Sequence, residues 1–210
     1  SGEVSLKEAL LLFSLLMLTA FLLVLMTNLL TIKLAFLGAL LASTYPFFKR
    51  FTHVPQVVLG IAFGWGIPMA FAAQTGAVPA LAWWLLGVNT IWSVIYDTQY
   101  AMVDREDDLA VGVRSTAILF GRLDVPIIGI LMVAMIALLI FLGGQQQLTW
   151  PWYLGVSVSG LLFIRQLWAI RGRERDACFR AFLNNNWVGF AIFLGLCGHF
   201  MLSGAYFATV

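Results

Sequence analysis

Seven long stretches of apolar residues constrain this chain more than any other feature of its sequence. Hydrophobic residues make up 61% of the 210 residues and charged residues only 10%, a balance typical of membrane proteins rather than of small soluble domains. Each stretch is close to the ~20 residues with which a helix crosses ~30 Å of hydrocarbon, and each lacks the alternation of a membrane strand. The sequence predicts an all-α, polytopic membrane helical bundle with about seven spans, at 9–26, 29–45, 57–73, 79–96, 125–142, 151–169 and 187–207.

The basic residues divide unequally between the two ends of these spans. If seven helices alternate, only Lys33 falls near one end, and the connections AAQTGAVP and GGQQQLT at that end carry no charge. Since Lys and Arg collect in cytoplasmic loops, we expect a cytoplasmic N-terminus. The net charge of +2 is too small to indicate a nucleic-acid partner. The other end collects Lys7, Lys49, Arg50, Arg105, Arg114, Arg122, Arg165, Arg171, Arg173, Arg175 and Arg180.

An acidic segment, YDTQYAMVDREDD, follows the fourth predicted span at this basic end. If the helix continues past the membrane surface, Asp97, Tyr100, Asp104 and Asp108 share one of its faces. Carboxylates next to hydrocarbon are costly unless a cation offsets them. Hard oxygen ligands suit Mg²⁺, which often completes its shell with substrate phosphates, so a diphosphate is the expected guest. The nearby cations that could hold it are Lys49, Arg50, Arg105 and Arg114.

Several other features favour structural roles. Gly60 and Gly64 form a G-x-x-x-G pair followed by Gly66 and Pro68, a pattern that lets helices approach closely and bend. Glu106 and Asp107 are interpreted as a solvated acidic loop. The two histidines and the two cysteines show no metal-ligand spacing. We therefore expect packing or structural roles for all four, which are His53, His199, Cys178 and Cys197.

Three stretches carry a resemblance to a known family. YDTQYAMVDREDDLAVGVRSTAILFG resembles the second aspartate-rich motif, D-x-x-Y-x-x-x-D-x-x-x-D, of the UbiA superfamily of intramembrane prenyltransferases. YPFFKRFTHVPQVVLGIAFGWGIPMAFAA is similar to a loop and helix of the branch that prenylates 4-hydroxybenzoate. With RERDACFRAFLNNNWVG, the resemblance extends to about residue 200.

The resemblance implies a Mg²⁺-dependent transfer of a polyprenyl group from polyprenyl diphosphate to the ring of 4-hydroxybenzoate, ortho to the hydroxyl, in ubiquinone biosynthesis. It implies that Asp104 and Asp108 bind the metal and that Asp97 and Tyr100 complete the same catalytic wall. Arg114 would touch the diphosphate. Lys49 and Arg50 would help hold the diphosphate or the substrate carboxylate. The expected location is the bacterial inner membrane, with the site facing the cytoplasm.

The chain departs from this family in one respect. Members have about nine spans and two aspartate-rich motifs, whereas no Asp occurs before Asp97. We therefore expect residues 1–210 to be a single transmembrane domain, the C-terminal portion of a longer enzyme without its first two helices, and inactive by itself.

Three alternative functions remain open at this point: prenylation of another aromatic acceptor, hydrolysis of a lipid phosphate, and cation-coupled transport. Transport is disfavoured, because transporter sites usually lie near the bilayer midplane and often between repeated halves.

Overall fold

The fold is a bundle of helices, described over residues 4–204 of a computed structural model. No strand occurs within these residues, and two short 3₁₀ turns, Gly121–Leu123 and Ile170–Gly172, join longer helices. The prediction of an all-α bundle is therefore confirmed. The helices are α1 (Leu6–Leu25), α2 (Leu29–Phe51), α3 (Pro55–Gly64), α4 (Gly66–Thr75), α5 (Ala80–Val103), α6 (Arg105–Val111), α7 (Thr116–Phe120), α8 (Asp124–Gln145), α9 (Trp150–Ala169) and α10 (Arg175–Ser203).

Six helical segments of residues 4–204 are long and apolar enough to cross a membrane. Helix α5, with 24 residues, falls outside these six but lies between them in the chain. The prediction of about seven spans is close to this count. The six segments are Leu6–Leu25, Leu29–Phe48, Pro55–Thr75, Thr116–Gln145, Trp150–Gly172 and Arg175–Ser203.

The third predicted span is divided into α3 and α4 at Trp65. The indole Nε1 of Trp65 donates to the carbonyl of Leu34 on α2, at 2.8 Å. Gly38 makes room for the ring, because a Cβ there would lie 2.6 Å from Trp65 Cδ1. The helix is thus interrupted beside Gly66 and Pro68, where the sequence pattern allows a bend, and the ring of Trp65 packs against α2 there.

The two glycines of the G-x-x-x-G pair face α5. A Cβ added at Gly60 would lie 2.8 Å from the Cα of Thr90, and one at Gly64 would lie 2.5 Å from Nδ2 of Asn89. Asn89 also donates to the carbonyl of Gly60, at 3.0 Å. The predicted packing role is confirmed, and it sets the distance between α3 and the helix that carries Asp97.

The core lies among α5, α8, α9 and α10. Ile95, Ile128, Val156 and Val188, one from each helix, are buried there together. Because α9 and α10 meet through glycines, their backbones pack closely: a Cβ at Gly155 would lie 2.4 Å from the carbonyl oxygen of Ala191.

A network of buried amides joins three of these helices. Gln99 donates to Gln166 at 3.0 Å, Asn185 donates to Gln99 at 2.8 Å, and the indole of Trp92 donates to Asn185 at 3.0 Å. These contacts explain one wrong prediction: α10 begins at Arg175, not at 187. Within the polar run NNN, Asn184 and Asn185 have partners on α9 and α5 and Asn186 is exposed, so the run is accommodated inside a helix.

Candidate active site

The end of α5 carries the first part of the predicted site. The helix continues past Tyr96 to Val103, as the sequence predicted. Asp97 is half-buried, and Tyr100 is 38% exposed. The backbone N–H of Asp104 still donates to the carbonyl of Tyr100, at 3.4 Å, so Asp104 lies one turn beyond Tyr100.

The helix is interrupted at Asp104, and this corrects the prediction of a single helix through Asp108. Asp104 leaves the helical region, with φ −94° and ψ 6°, and α6 begins at the next residue. The N–H of Asp108 donates to the carbonyl of Asp104 at 2.8 Å, so the turn is nevertheless kept. The interruption therefore reorients α6 without separating Asp108 from the other carboxylates.

The three carboxylates lie near enough to Tyr100, which is beyond the predicted span, to act on its hydroxyl electrostatically. The negative charge of Asp104 raises the pKa of Tyr100 above its ordinary value of 10.0, and burial and a hydrogen bond with Asp104 add to this. Asp97 and Asp108 act in the same direction. The structure thus brings together the four residues that the sequence placed on one face.

Helix α2 also comes near the acidic end of α5. Its Tyr45 lies close enough to Asp97 for the two side chains to interact electrostatically. Arg114 donates from Nη1 to the carbonyl of Phe51, the last residue of α2, at 2.9 Å. Arg50, the residue before Phe51, is exposed. Arg114 is thus bound to the end of the helix that carries Arg50, whereas the side chain of Lys49 lies outside the described residues.

Arg105 differs from the expectation that it could hold a diphosphate. Its guanidinium forms an ion pair and hydrogen bond with Asp124 at the start of α8. Asp124 is fully buried and also accepts from Nη2 of Arg173, at 2.8 Å. Arg105 therefore belongs to a second charged cluster, with Asp124 and Arg173, that lies beside the site.

Aromatic rings line the space between α5 and α10 next to the carboxylates. The ring centroids of Tyr100 and Phe182 are 5.1 Å apart, those of Tyr100 and Phe179 are 6.4 Å apart, and those of Tyr96 and Phe182 are 6.1 Å apart. An open groove of about 300 Å³ continues along these helices. It is lined by Trp92, Tyr96, Phe182, Leu183, Asn185 and Asn186.

Within residues 4–204 no group of three or more His, Cys, Asp or Glu side chains has the arrangement of a metal site. Asp104 and Asp108 nevertheless fit Mg²⁺, because that ion is usually held by one or two carboxylates together with waters and substrate phosphates.

The remaining histidines and cysteines agree with structural roles where the contacts test them. His199 Nδ1 accepts from the backbone N–H of Thr149 at the start of α9, at 3.1 Å, which confirms its structural role. His53 is exposed. Cys178 is buried, Cys197 is partly buried, and neither forms a disulfide.

Three residues around the site were not singled out by the sequence. Tyr45 and Asn185 gave no signal, because their partners lie on distant segments. Asp124 did give one: a carboxylate at the start of an apolar run requires a partner, and the run of arginines at 171–175 could have supplied it.

Comparison with known proteins places the chain in a family. The model of the UbiA prenyltransferase family matches residues 1–194. The chain belongs to the UbiA prenyltransferase family. This agrees with the resemblance found in its aspartate-rich motif.

Several similar proteins share one name. The 4-hydroxybenzoate octaprenyltransferase of Pseudoalteromonas atlantica is 58% identical over 203 residues, which cover 96% of this chain and 71% of the relative. Proteins of the same name from Alkalilimnicola ehrlichii and Enterobacter sp. are 57% and 58% identical, over 97% and 93% of this chain and 70% and 68% of their own lengths.

Solved structures support the fold. A UbiA homolog from Aeropyrum pernix K1 superimposes with a TM-score of 0.76 at 23% identity, covering 93% of this chain and 74% of that one. A structure of digeranylgeranylglyceryl phosphate synthase gives a TM-score of 0.67 at 18% identity, over 93% of this chain and 71% of that one.

Proposed function

We propose that this UbiA family member transfers a polyprenyl group from polyprenyl diphosphate to the ring carbon of 4-hydroxybenzoate ortho to its hydroxyl, releasing diphosphate, in ubiquinone biosynthesis. The observation that carries the proposal is the placement of Tyr100, Asp104 and Asp108 at successive turns at one end of an apolar bundle, where the N–H of Asp104 donates to the carbonyl of Tyr100 and the N–H of Asp108 donates to the carbonyl of Asp104. The names of the relatives, at 57–58% identity, support the choice of substrates.

Asp104 and Asp108 would hold Mg²⁺, and Asp97 would add negative charge to the same side of the site. When bound, the ion supplies positive charge that stabilises the leaving diphosphate. The backbone N–H of Asp108 donates to the carbonyl of Asp104. The two carboxylates therefore stay one helical turn apart across the junction of α5 and α6. This spacing would let both carboxylates face one ion, and groups arranged in advance around developing charge stabilise a transition state most effectively.

The cationic residues would bind the anionic groups of the substrates. Arg114 is held by the carbonyl of Phe51 through one nitrogen, which leaves its other donors for a diphosphate oxygen. Arg50 and Lys49, at the end of α2, would bind the diphosphate or the carboxylate of 4-hydroxybenzoate. Their charge opposes that of the carboxylates and favours an anion between the two sets.

The aromatic groove would accommodate the first part of the isoprenoid. Its rings are apolar enough to exclude water, which would otherwise capture an allylic cation. Tyr100 lies where the groove meets the carboxylates. Its ring face is suited to a cation, and its hydroxyl is oriented by Asp104.

The proposed location is the bacterial inner membrane, with the site open to the cytoplasm. The unequal distribution of Lys and Arg supports this orientation, and the six apolar helical segments support a multi-pass arrangement. Both the isoprenoid donor and its prenylated product are lipids that remain in a bilayer.

The test is transfer of a short labelled prenyl diphosphate to 4-hydroxybenzoate by membranes that contain the native gene product. We expect product formation that requires Mg²⁺ and that falls on the order of 100-fold or more in Asp104→Asn. Asp107→Asn is the matched control, because Asp107 is 70% exposed and pairs only with Arg175 at the surface in the described contacts. It should retain most activity.

Two outcomes would contradict the proposal. Release of diphosphate at the same rate with and without the aromatic acid would identify a lipid-phosphate hydrolase. Equal activity in Asp104→Asn and Asp107→Asn would remove the acidic face from the reaction.

A further inference from the structure

Asp124 forms the most strongly paired charge cluster of the described chain. Its carboxylate is fully buried, accepts from the guanidinium of Arg105, and accepts from Nε and Nη2 of Arg173 at 2.8–3.2 Å. The backbone N–H of Val125 adds a fourth donor group, at 2.6 Å. Arg173 also donates to the carbonyl of Arg122, at 2.9 Å. A buried carboxylate with this many charged donors is a rigid point in the fold.

The cluster reaches the proposed site through Arg105. This residue follows Asp104 directly and begins α6, the helix on which Asp108 lies three residues later. Arg105 therefore connects the start of α6 to the buried carboxylate of Asp124.

Helix α6 is weakly packed within the described residues. It is seven residues long, and none of its residues is buried, so apolar packing does not fix its orientation. Its second ion pair, between Asp107 and Arg175 at 2.8 Å, has exposed partners, 70% and 56% respectively. Exposed pairs contribute little, whereas breaking a buried pair is strongly disruptive.

We propose that Asp124 is a positioning residue, which through Arg105 fixes α6 and so sets the placement of Asp108 relative to Asp104. The reorientation of the chain at Asp104 follows from this anchor, because Arg105 must turn toward α8 to reach the buried carboxylate. The inference rests on the proposed function only in assigning Asp104 and Asp108 to the metal.

The first test measures α6 directly and needs no substrate. Amide hydrogen exchange over residues 105–112 is compared in the native gene product, Asp124→Asn and Asp107→Asn, in detergent. We expect exchange to be at least about tenfold faster in Asp124→Asn, with a change of roughly fivefold or less in Asp107→Asn. Equal exchange in all three proteins would overturn the proposal.

A second variant guards against loss of the fold in Asp124→Asn. Arg105→Gln leaves Asp124 paired with Arg173, so the buried charge remains compensated while the connection to α6 is removed. We expect it to accelerate exchange in α6 as Asp124→Asn does. The double variant should be no faster than the faster single variant, since both changes break one connection. Additive effects would show that Asp124 does not act through Arg105.

The affinity for Mg²⁺ is the second measurement, because it would not change if Asp124 and Arg105 only stabilised the fold. Melting temperature is measured against Mg²⁺ concentration at a fixed concentration of inorganic diphosphate, and the half-saturating Mg²⁺ concentration is compared between variants. Removing the positive charge of Arg105 would lower this concentration through electrostatics alone. We expect it to rise instead, by about 10–100-fold, as when a residue that supports a metal ligand is changed.

A fall would overturn the positioning role. If the native gene product neither responds to Mg²⁺ and diphosphate nor transfers a prenyl group, the proposed function fails, while the exchange result still decides the role of Asp124.

Discussion

Replacing Gly60 with Ala tests whether the distance between α3 and α5 is set by the absence of a side chain. The new Cβ would lie 2.8 Å from the Cα of Thr90, 2.9 Å from the Cβ of Ser93 and 3.1 Å from the carbonyl oxygen of Thr90. Two of these atoms are backbone and cannot rotate away, so the helices must separate. Overpacking of this kind costs about 1–3 kcal/mol, and Ala recovers up to about 1 kcal/mol through its higher helix propensity.

The matched control is Gly87→Ala on α5, where an added Cβ meets nothing within 4 Å. This variant keeps the propensity gain without the collision. Gly60→Ala should therefore be about 1–3 kcal/mol less stable than Gly87→Ala, a difference in which the propensity term cancels. The assay is thermal or denaturant unfolding of both variants of the native gene product in the same detergent. Equal midpoints would refute the argument that contact with Thr90 determines the helix spacing.

Three further predictions follow from the described contacts. Asn185→Ala should destabilise the protein by about 2 kcal/mol or more, since it leaves buried partners on other helices unpaired, whereas the exposed Asn186→Ala should be nearly neutral in the same unfolding assay. Tyr100→Phe should change the pH profile of transfer little between pH 6 and 9, because Asp104 raises the pKa of Tyr100 above 10.0 and the neutral hydroxyl persists throughout this range; an alkaline loss below pH 9 present only in the unmodified protein would contradict this. Arg114→Gln should raise the KM for prenyl diphosphate about tenfold or more, with Arg114→Lys retaining most affinity; equal KM values in steady-state assays would remove Arg114 from the diphosphate site.

The local parts of the site could be predicted from the sequence because they depend on helical spacing. Asp97 and Tyr100 lie on α5 and Asp104 directly follows its last residue, so intervals of three and four residues were sufficient to place them together. The G-x-x-x-G pair was equally local: small residues one turn apart indicate close packing whichever helix they face.

The missed parts depend on partners far apart in the chain. The interruption at Asp104 follows from the pairing of Arg105 with Asp124, and no interval within the motif indicates that pairing. The early start of α10 has the same origin, because Asn185 is tolerated in a helix only through its partners Gln99 and Gln166. Each of these contacts spans at least 19 residues, which local patterns do not encode.

The bond between Arg114 and the end of α2 has a consequence for sequence variation among relatives. The acceptor is a main-chain carbonyl, and the side chain of Phe51 points away, 75% exposed. Mutations can therefore change the amino acid at position 51 freely without disturbing the contact. An insertion or deletion within the last turn of α2 would move the carbonyl and be selected against. We expect relatives to vary in the amino acid at position 51. They should keep the length of the last turn of α2 and a nitrogen donor at position 114.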